Sequence, residues 1–209
     1  MTQYGFHFDA TRCTGCKTCM LACKDAKDLS CDQTFRRVYE FETSDGWTAD
    51  ESGCWTCASA SYYVSTACNH CDDPACVAAC PAGSMVKHEE GGLVYNDPET
   101  CIGCGACAAA CPYGAPLIDT ERSLSLKCDG CHERVANGLA PICVAACPLR
   151  ALDFGPIDEL REKYGETAAV APLPDPATTG PNVVITPCYN ALEIGAEGSV
   201  VNENELALA

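Results

Sequence analysis

Apolar and polar residues alternate in several short segments of the chain, and this pattern predicts strands rather than long helices. Residues 4–8 (YGFHF) and 91–96 (GGLVYN) each fit one short strand. Residues 35–65 alternate over a longer stretch with Gly, Asp and Ser clusters, which predicts a hairpin. No run approaches the roughly 18 apolar residues that cross a bilayer, so we expect no membrane span.

Two further segments are marked by proline. Residues 156–165 (PIDELREKYG) have early acidic residues and a late Lys163, which predicts a short helix with Pro156 at its first position. Residues 171–187 (APLPDPATTGPNVVITP) contain too many prolines for a core element. They predict an extended segment lying across the rest of the fold or a partner.

Composition changes the picture, because 20 of the 209 residues are cysteine. Such a fraction is typical of disulfide scaffolds, zinc sites or iron–sulfur clusters. Residues 1–13 lack the features of a secretory signal, so we expect folding in the cytoplasm, where thiols stay reduced and disulfides are disfavoured. The net charge of −16 disfavours nucleic acid as a partner because it repels phosphate.

Sixteen of the cysteines form four groups. Groups one and three share Asp-x3-Cys-x-Gly-Cys-x2-Cys-x3-Cys, and groups two and four share Pro-x-Cys-Val-Ala-Ala-Cys-Pro. This repetition predicts an internally doubled unit. In chain order the groups are Cys13, Cys16, Cys19 and Cys23; Cys68, Cys71, Cys76 and Cys80; Cys101, Cys104, Cys107 and Cys111; and Cys128, Cys131, Cys143 and Cys147.

The spacing within groups one and three suits a cubane iron–sulfur cluster. Three cysteines of a Cys-x2-Cys-x2-Cys loop converge on one face of the cluster, and glycines let the backbone come close. We expect the fourth cysteine at the start of a short helix, pointing towards a second cluster as in two-cluster ferredoxins. Zinc is the alternative, but a zinc ribbon needs neither the third cysteine nor the proline that follows groups two to four. The spacing therefore predicts four [4Fe–4S] clusters.

The motifs also carry a resemblance to a known family. From about residue 4 to residue 185 the chain resembles the four-cluster electron-transfer subunit of the molybdopterin-dependent dimethyl sulfoxide reductase family. Some relatives have tryptophan at the position of Cys104, which leaves a three-iron cluster. The segments that carry the resemblance are RCTGCKTCMLACKD, CNHCDDPACVAACP, CIGCGACAAACPYGAP, KCDGCHERVANGLAPICVAACPLRALDFGPIDELR and the late APLP and PNVVI.

The resemblance implies which cysteines share a cluster, whereas spacing alone leaves open a tandem pairing of group one with two and three with four. The implied ligand sets are called sites I to IV below. They are Cys13, Cys16, Cys19 and Cys147 (site I); Cys128, Cys131, Cys143 and Cys23 (site II); Cys68, Cys71, Cys76 and Cys111 (site III); and Cys101, Cys104, Cys107 and Cys80 (site IV).

The implied fold is α+β, with two ferredoxin-like lobes related by internal duplication, each binding two clusters, and an extended C-terminal tail. The outer lobe comprises residues 1–64, with the hairpin insertion, and residues 116–170. The inner lobe comprises residues 65–115, and the proline-rich tail comprises residues 171–209.

Four cysteines and two histidines near the groups have no place in these sets. We expect packed or solvent-facing imidazoles at His70 and His132 rather than contacts to cluster sulfur. A fifth metal site is the alternative to ordinary buried cysteines, which we expect at Cys31, Cys54, Cys57 and Cys188.

The chain contains no Ser-His-Asp set, phosphate loop or dinucleotide fingerprint, so we expect no catalytic site in it. The resemblance implies electron relay between a molybdopterin-containing catalytic subunit and a membrane quinol-oxidising subunit. It also implies the extracytoplasmic membrane face, reached by co-export with a twin-arginine partner; a cytoplasmic complex is the alternative. A soluble polyferredoxin is the alternative function, and the proline-rich tail favours the fixed subunit.

Charge is unevenly distributed among the groups. Seven of the 13 basic residues, Lys127 among them, lie around groups one and four. Residues 65–115 contain Lys87 as their single basic residue against six acidic ones. Because nearby cations favour the reduced form of a cluster, charge alone predicts higher potentials in the outer lobe.

Overall fold

The computed structural model describes residues 2–43, 46–57 and 59–206, which form short strands and helices. The helices are α1 (Thr18–Ala26), α2 (Ala75–Ala78), α3 (Ala106–Ala110), α4 (His132–Ala136), α5 (Ile142–Ala146) and α6 (Ile157–Tyr164). The strands are β1 (Tyr4–Asp9), β2 (Arg37–Glu42), β3 (Trp47–Ala49), β4 (Trp55–Cys57), β5 (Ser61–Thr66), β6 (Met85–Lys87), β7 (Val94–Asn96), β8 (Leu117–Asp119), β9 (Leu124–Leu126), β10 (Leu152–Pro156), β11 (Val183–Thr186) and β12 (Ser199–Val200).

Two three-stranded sheets and three two-stranded hairpins organise these strands. In the first sheet β1 lies between β10, which is antiparallel to it, and β11, which is parallel. In the second sheet β2 lies between β5 and β12, both antiparallel to it. The hairpins are β3–β4, β6–β7 and β8–β9.

The largest core lies between the two three-stranded sheets. Phe8 of β1, Val38 of β2, Val64 of β5 and Ile185 of β11 are almost fully buried in it. Helix α1 packs against α5, and α2 packs against α3. Because these four helices carry or border the cysteine groups, this packing brings group one to group four and group two to group three.

The strand and hairpin predictions are confirmed where the structure describes them. β1 covers the YGFHF segment, and β2 pairs with β5 from Arg37 opposite Thr66 onwards, with β3–β4 as an inner hairpin. Ser44, Asp45 and Ala58 of the predicted hairpin lie outside the described residues. In GGLVYN only Val94–Asn96 is a strand, because the two glycines have positive φ and form a turn.

The helix predicted from its charges is confirmed as α6, with Asp158 and Glu159 in the first turn and Lys163 in the last. The placement of Pro156 inside this helix is wrong. Pro156 is the last residue of β10 and has an extended ψ of 128°. It is therefore the N-cap residue, and the helix begins at the next residue, Ile157.

The prediction that the proline-rich segment contains no core element is wrong for β11. Val184 is fully buried, and Ile185 lies in the largest core. Pro181 and Pro187 lie outside the strand at its two ends, so neither removes an N–H from the ladder with β1.

The expectation that each fourth cysteine begins a helix is also wrong. Helices α3 and α5 end immediately before Cys111 and Cys147, whose ψ angles of 116° and 111° are extended. Each of these cysteines precedes a proline, which disfavours the α conformation in the residue before it. Group one has Lys24 in place of that proline, and α1 continues through Cys23 to Ala26.

Candidate metal centre

Three separate cavities are each lined by four of the predicted ligand cysteines. One is lined by all four cysteines of site I, a second by all four of site III, and a third by all four of site IV. Their empty volumes, which include open space at the mouth, are similar at about 330, 360 and 290 Å³ respectively. In each case the structure brings a cysteine from one group to three cysteines of another.

The four cysteines of site II also come together, and all four are buried. Burial raises the pKa of the Cys23 thiol, and the neighbouring charges of Cys128 and Cys143 raise it further. Cys23 belongs to α1 and Cys143 to α5, so the packing of these two helices creates this neighbourhood.

Neighbouring sites share short stretches of chain. Helix α1 contains Cys19 of site I and Cys23 of site II. Helix α5 contains Cys143 of site II, and Cys147 of site I follows directly after it. Helices α2 and α3 connect sites III and IV in the same way. Sites I and II therefore form one adjacent pair, and sites III and IV form another.

Backbone N–H groups point at several of the cysteine sulfurs. Ala151 N–H donates to Cys147 Sγ at 3.3 Å, Ser125 N–H to Cys101 Sγ at 3.4 Å, and Gly130 N–H to Cys128 Sγ at 3.4 Å. Such donors stabilise a thiolate, which is the form of cysteine that binds a metal.

Burial keeps several of the free thiols protonated. It raises the pKa of Cys13 and of Cys71 to about 11 and that of Cys76 to about 12. At Cys68 burial acts in the same direction, but Lys127 and His70 outweigh it and lower the pKa to about 5. Binding a metal therefore releases protons from the thiols of Cys13, Cys71 and Cys76.

Among the described residues, no three cysteine, histidine or acidic side chains come close enough together to bind a single metal ion. The thiols of sites I, III and IV instead surround a cavity. Four soft thiolate donors around such a space fit a cluster of four irons in which each iron takes one cysteine.

His70 is fully buried between sites II and III, so its imidazole is packed as expected, but the expectation that it makes no contact to ligand sulfur is wrong. Its Nδ1 accepts the Val94 N–H at 2.9 Å and lies 3.9 Å from Cys68 Sγ, while its Nε2 has no partner in the described part of the chain. His132 is packed too, with its ring stacked 4.5 Å from that of Tyr95.

Two buried cations lie next to the sites: Lys127 was expected beside group four rather than at site III, and Arg36 was not predicted. Lys127 lines the cavity of site III, and its Nζ donates to the carbonyl oxygens of Val94 and Cys128. Arg36, which immediately precedes β2, is buried near sites I and II. The one signal for Arg36 in the sequence was its place, next to Arg37, at the start of the predicted hairpin.

The spare cysteines stay outside the cavities of sites I, III and IV. Cys54 and Cys57 lie on the β3–β4 hairpin, and both they and Cys31 are exposed, so the expectation of buried cysteines is wrong for these three. Cys188 is half-buried, and its Sγ donates to Asn190 Oδ1 at 3.2 Å.

We expect Gly103→Ala to lower the iron content and the stability of the protein far more than Gly83→Ala. Both glycines have a φ of +65°, so each substitution costs about 1–2 kcal/mol in backbone strain. A methyl group at Gly103 would also collide with the backbone carbonyl of Ser123, whereas at Gly83 it meets no described atom within 4 Å. Iron analysis and thermal unfolding measure both effects, and equal behaviour of the two variants would contradict the role of close packing in this loop.

Comparison with known proteins defines the class. Residues 59–157 match the family model of a 4Fe-4S dicluster domain, and residues 10–26 match that of a 4Fe-4S binding domain. The chain therefore has ferredoxin-type iron–sulfur domains in a mixed α/β fold.

Full-length relatives define the family. The chain is 54% identical to the B subunit of anaerobic dimethyl sulfoxide reductase of Escherichia coli (strain K12) over 98% of its own length and 99% of that protein. It is 53% identical to the subunit of the same name from Haemophilus influenzae, over 99% of its own length and 100% of that protein. It is 34% identical to the thiosulfate reductase electron transfer subunit PhsB of Salmonella typhi, over 75% of its own length and 78% of that protein. The protein belongs to the family of the anaerobic dimethyl sulfoxide reductase B subunit, whose members are iron–sulfur electron-transfer subunits.

In the part of the chain that the structure describes, no helix has the length and apolar character needed to cross a bilayer.

Proposed function

We propose that this chain holds four [4Fe–4S] clusters, one at each of sites I to IV, and relays electrons between a membrane quinol-oxidising subunit and a molybdopterin catalytic subunit of a dimethyl sulfoxide reductase-like complex. The observation that carries the proposal is the set of three cavities, each lined by four cysteines from two different groups. Each cluster supplies one-electron chemistry when it is bound.

The residues of the chain have distinct roles in this proposal. The cysteines hold the iron, and the backbone N–H groups of Ser125, Gly130 and Ala151 stabilise thiolates. Cys16 of site I and Cys104 of site IV are exposed, whereas the cysteines of site II are all buried. Electrons therefore enter and leave the chain at sites I and IV, where partners can approach closely.

The proposal includes two lobes related by internal duplication, each with two clusters. The packing of α1 on α5 and of α2 on α3 supports an outer lobe of residues 1–64 and 116–170 and an inner lobe of residues 65–115. Residues 171–209 form the tail of the proposed division, although β11 and β12 join the sheets of the outer lobe.

The family supports a fixed subunit over a soluble polyferredoxin. The proline-rich segment no longer supports this choice, because its strand β11 belongs to the core. The relatives that match along nearly the whole chain are instead named as the B subunit of a reductase. We propose the extracytoplasmic membrane face, reached with an exported partner, over a cytoplasmic complex; co-purification and fractionation of the native complex test both choices.

A metal and sulfide count tests the proposed function. Protein purified without oxygen should contain about 16 iron and about 16 acid-labile sulfide per chain, because each of four cubanes carries four of each. Plasma emission spectrometry measures iron and zinc together. Stoichiometric zinc with little iron, after attempted reconstitution, would contradict the proposal.

A further inference from the structure

Arg36 is a buried cation whose hydrogen-bonding groups are only partly used. Its side chain is among the largest fully buried ones, and its guanidinium carbon lies 4.7 Å from the centroid of the Phe6 ring. Nη1 donates to Ser65 Oγ at 3.2 Å, but Nε and Nη2 have no acceptor in the described residues. Buried N–H groups of a cation are costly to leave unpaired, so these two indicate a bound group that accepts from them.

The surroundings of Arg36 indicate where that group binds. Burial opposes its positive charge, but Cys143, Cys19 and Cys128 outweigh burial and raise the pKa of the guanidinium. Cys143 and Cys128 belong to site II, whereas Cys19 belongs to site I. The side chain therefore lies between these two sites.

Ser65 connects the guanidinium to site I specifically. Its Oγ accepts from Arg36 Nη1 and lies 3.6 Å from Cys19 Sγ. When Cys19 is a thiolate it has no proton to give, so in this hydrogen bond the Ser65 hydroxyl is the donor and Cys19 Sγ the acceptor. This arrangement places one positive charge, through one hydroxyl, next to a ligand of site I.

We propose that Arg36 serves both sites I and II, where its free N–H groups donate to sulfur and its charge raises the reduction potentials of the two clusters. The inference rests on the proposed function, since it requires clusters at both sites. A core of charge 2+ with four thiolates is an anion, and reduction adds a further negative charge. A cation held without water nearby favours that reduced form.

Redox titration of the purified complex, followed by EPR, tests this role. Arg36→Met removes the charge and keeps much of the volume, so we expect two of the four midpoint potentials to shift to more negative values. These two should belong to the signals that Cys19→Ala and Cys143→Ala eliminate. Arg36→Lys keeps the charge but loses the planar donors, so we expect a smaller shift of the same sign.

Arg37 offers a matched control. It is an adjacent, buried arginine whose Nε likewise has no acceptor in the described residues, but its Nη1 and Nη2 donate to the carbonyl oxygens of Tyr113 at 3.3 Å and Gly114 at 2.8 Å. We expect Arg37→Met to leave the potentials of sites I and II unchanged. Equal shifts in the two methionine variants would overturn the specific role of Arg36.

Ser65→Ala keeps the inference testable if Arg36→Met fails to fold. It should shift the potential of site I alone, and Ser125→Ala should have the corresponding effect at site IV, because Ser125 Oγ lies 3.2 Å from Cys107 Sγ. If Arg36→Met holds about 16 iron per chain with four unshifted potentials, the inference fails and the proposed function stands. If the unsubstituted protein lacks four clusters, the proposed function itself fails.

Discussion

Cys147→Ala should eliminate the [4Fe–4S] signal of site I and lower the iron content from about 16 to about 15 per chain or below, because one iron loses its protein ligand. Cys147 is buried, and it lines the same cavity as Cys13, Cys16 and Cys19. The substitution removes the single ligand that group four contributes to this site. It should also lower the thermal stability, because a bound cluster links α1 to the chain after α5. Iron analysis, EPR and thermal unfolding measure these changes.

The same variant tests the pairing of the groups. Cys13→Ala should eliminate the same EPR signal as Cys147→Ala, whereas under tandem pairing the partner of Cys147 would be group three. If Cys147→Ala and Cys101→Ala instead lack the same EPR signal, the proposed ligand sets are contradicted. Cys188→Ala is the matched control, because this half-buried thiol packs against the same core and is no predicted ligand. It should retain about 16 iron.

Cys104→Trp should interrupt electron supply from quinol while leaving the catalytic partner active with an artificial donor. Cys104 is exposed and lines the cavity of site IV with Cys80, Cys101 and Cys107. Without it one iron loses its protein ligand, so we expect a three-iron centre and about 15 iron per chain. Quinol-dependent turnover of the complex should fall to background, and EPR of the oxidised protein should reveal the altered centre.

Cys54→Trp controls for the bulk of the new side chain, because Cys54 is an exposed cysteine outside the predicted ligand sets. It should keep its iron and its quinol-dependent turnover. Undiminished turnover with quinol in Cys104→Trp, despite a three-iron centre, would contradict the passage of electrons from quinol through site IV. Equal loss with quinol and with the artificial donor would place the damage at the catalytic partner instead.

Local features of the fold could be predicted because each depends on residues close together in sequence. Alternation of apolar residues located β1 and the β2–β5 hairpin, and the charge order located α6. The prolines after Cys111 and Cys147 contained more information than the prediction used. They end α3 and α5 and direct each fourth cysteine out of its helix.

Charge along the sequence was a poor guide to charge around the sites. Lys127 was counted with group four because it precedes Cys128, yet it lines the cavity of site III and lowers the pKa of Cys68. The expectation of higher potentials in the outer lobe therefore loses part of its basis. Arg36 adds a buried cation between sites I and II that no sequence pattern assigned to them.

The sequence by itself determined the kind of metal group, because the Cys-x2-Cys-x2-Cys loops of groups one and three each bring three sulfurs together within one local turn of chain. Only the tertiary structure decided which distant cysteine joins each loop, which cation lies beside it, and that β11 belongs to the core. These depend on the packing of α1 on α5, of α2 on α3, and of β11 beside β1. Such contacts join segments far apart in the chain, and their choice depends on which apolar surfaces fit together rather than on any local period.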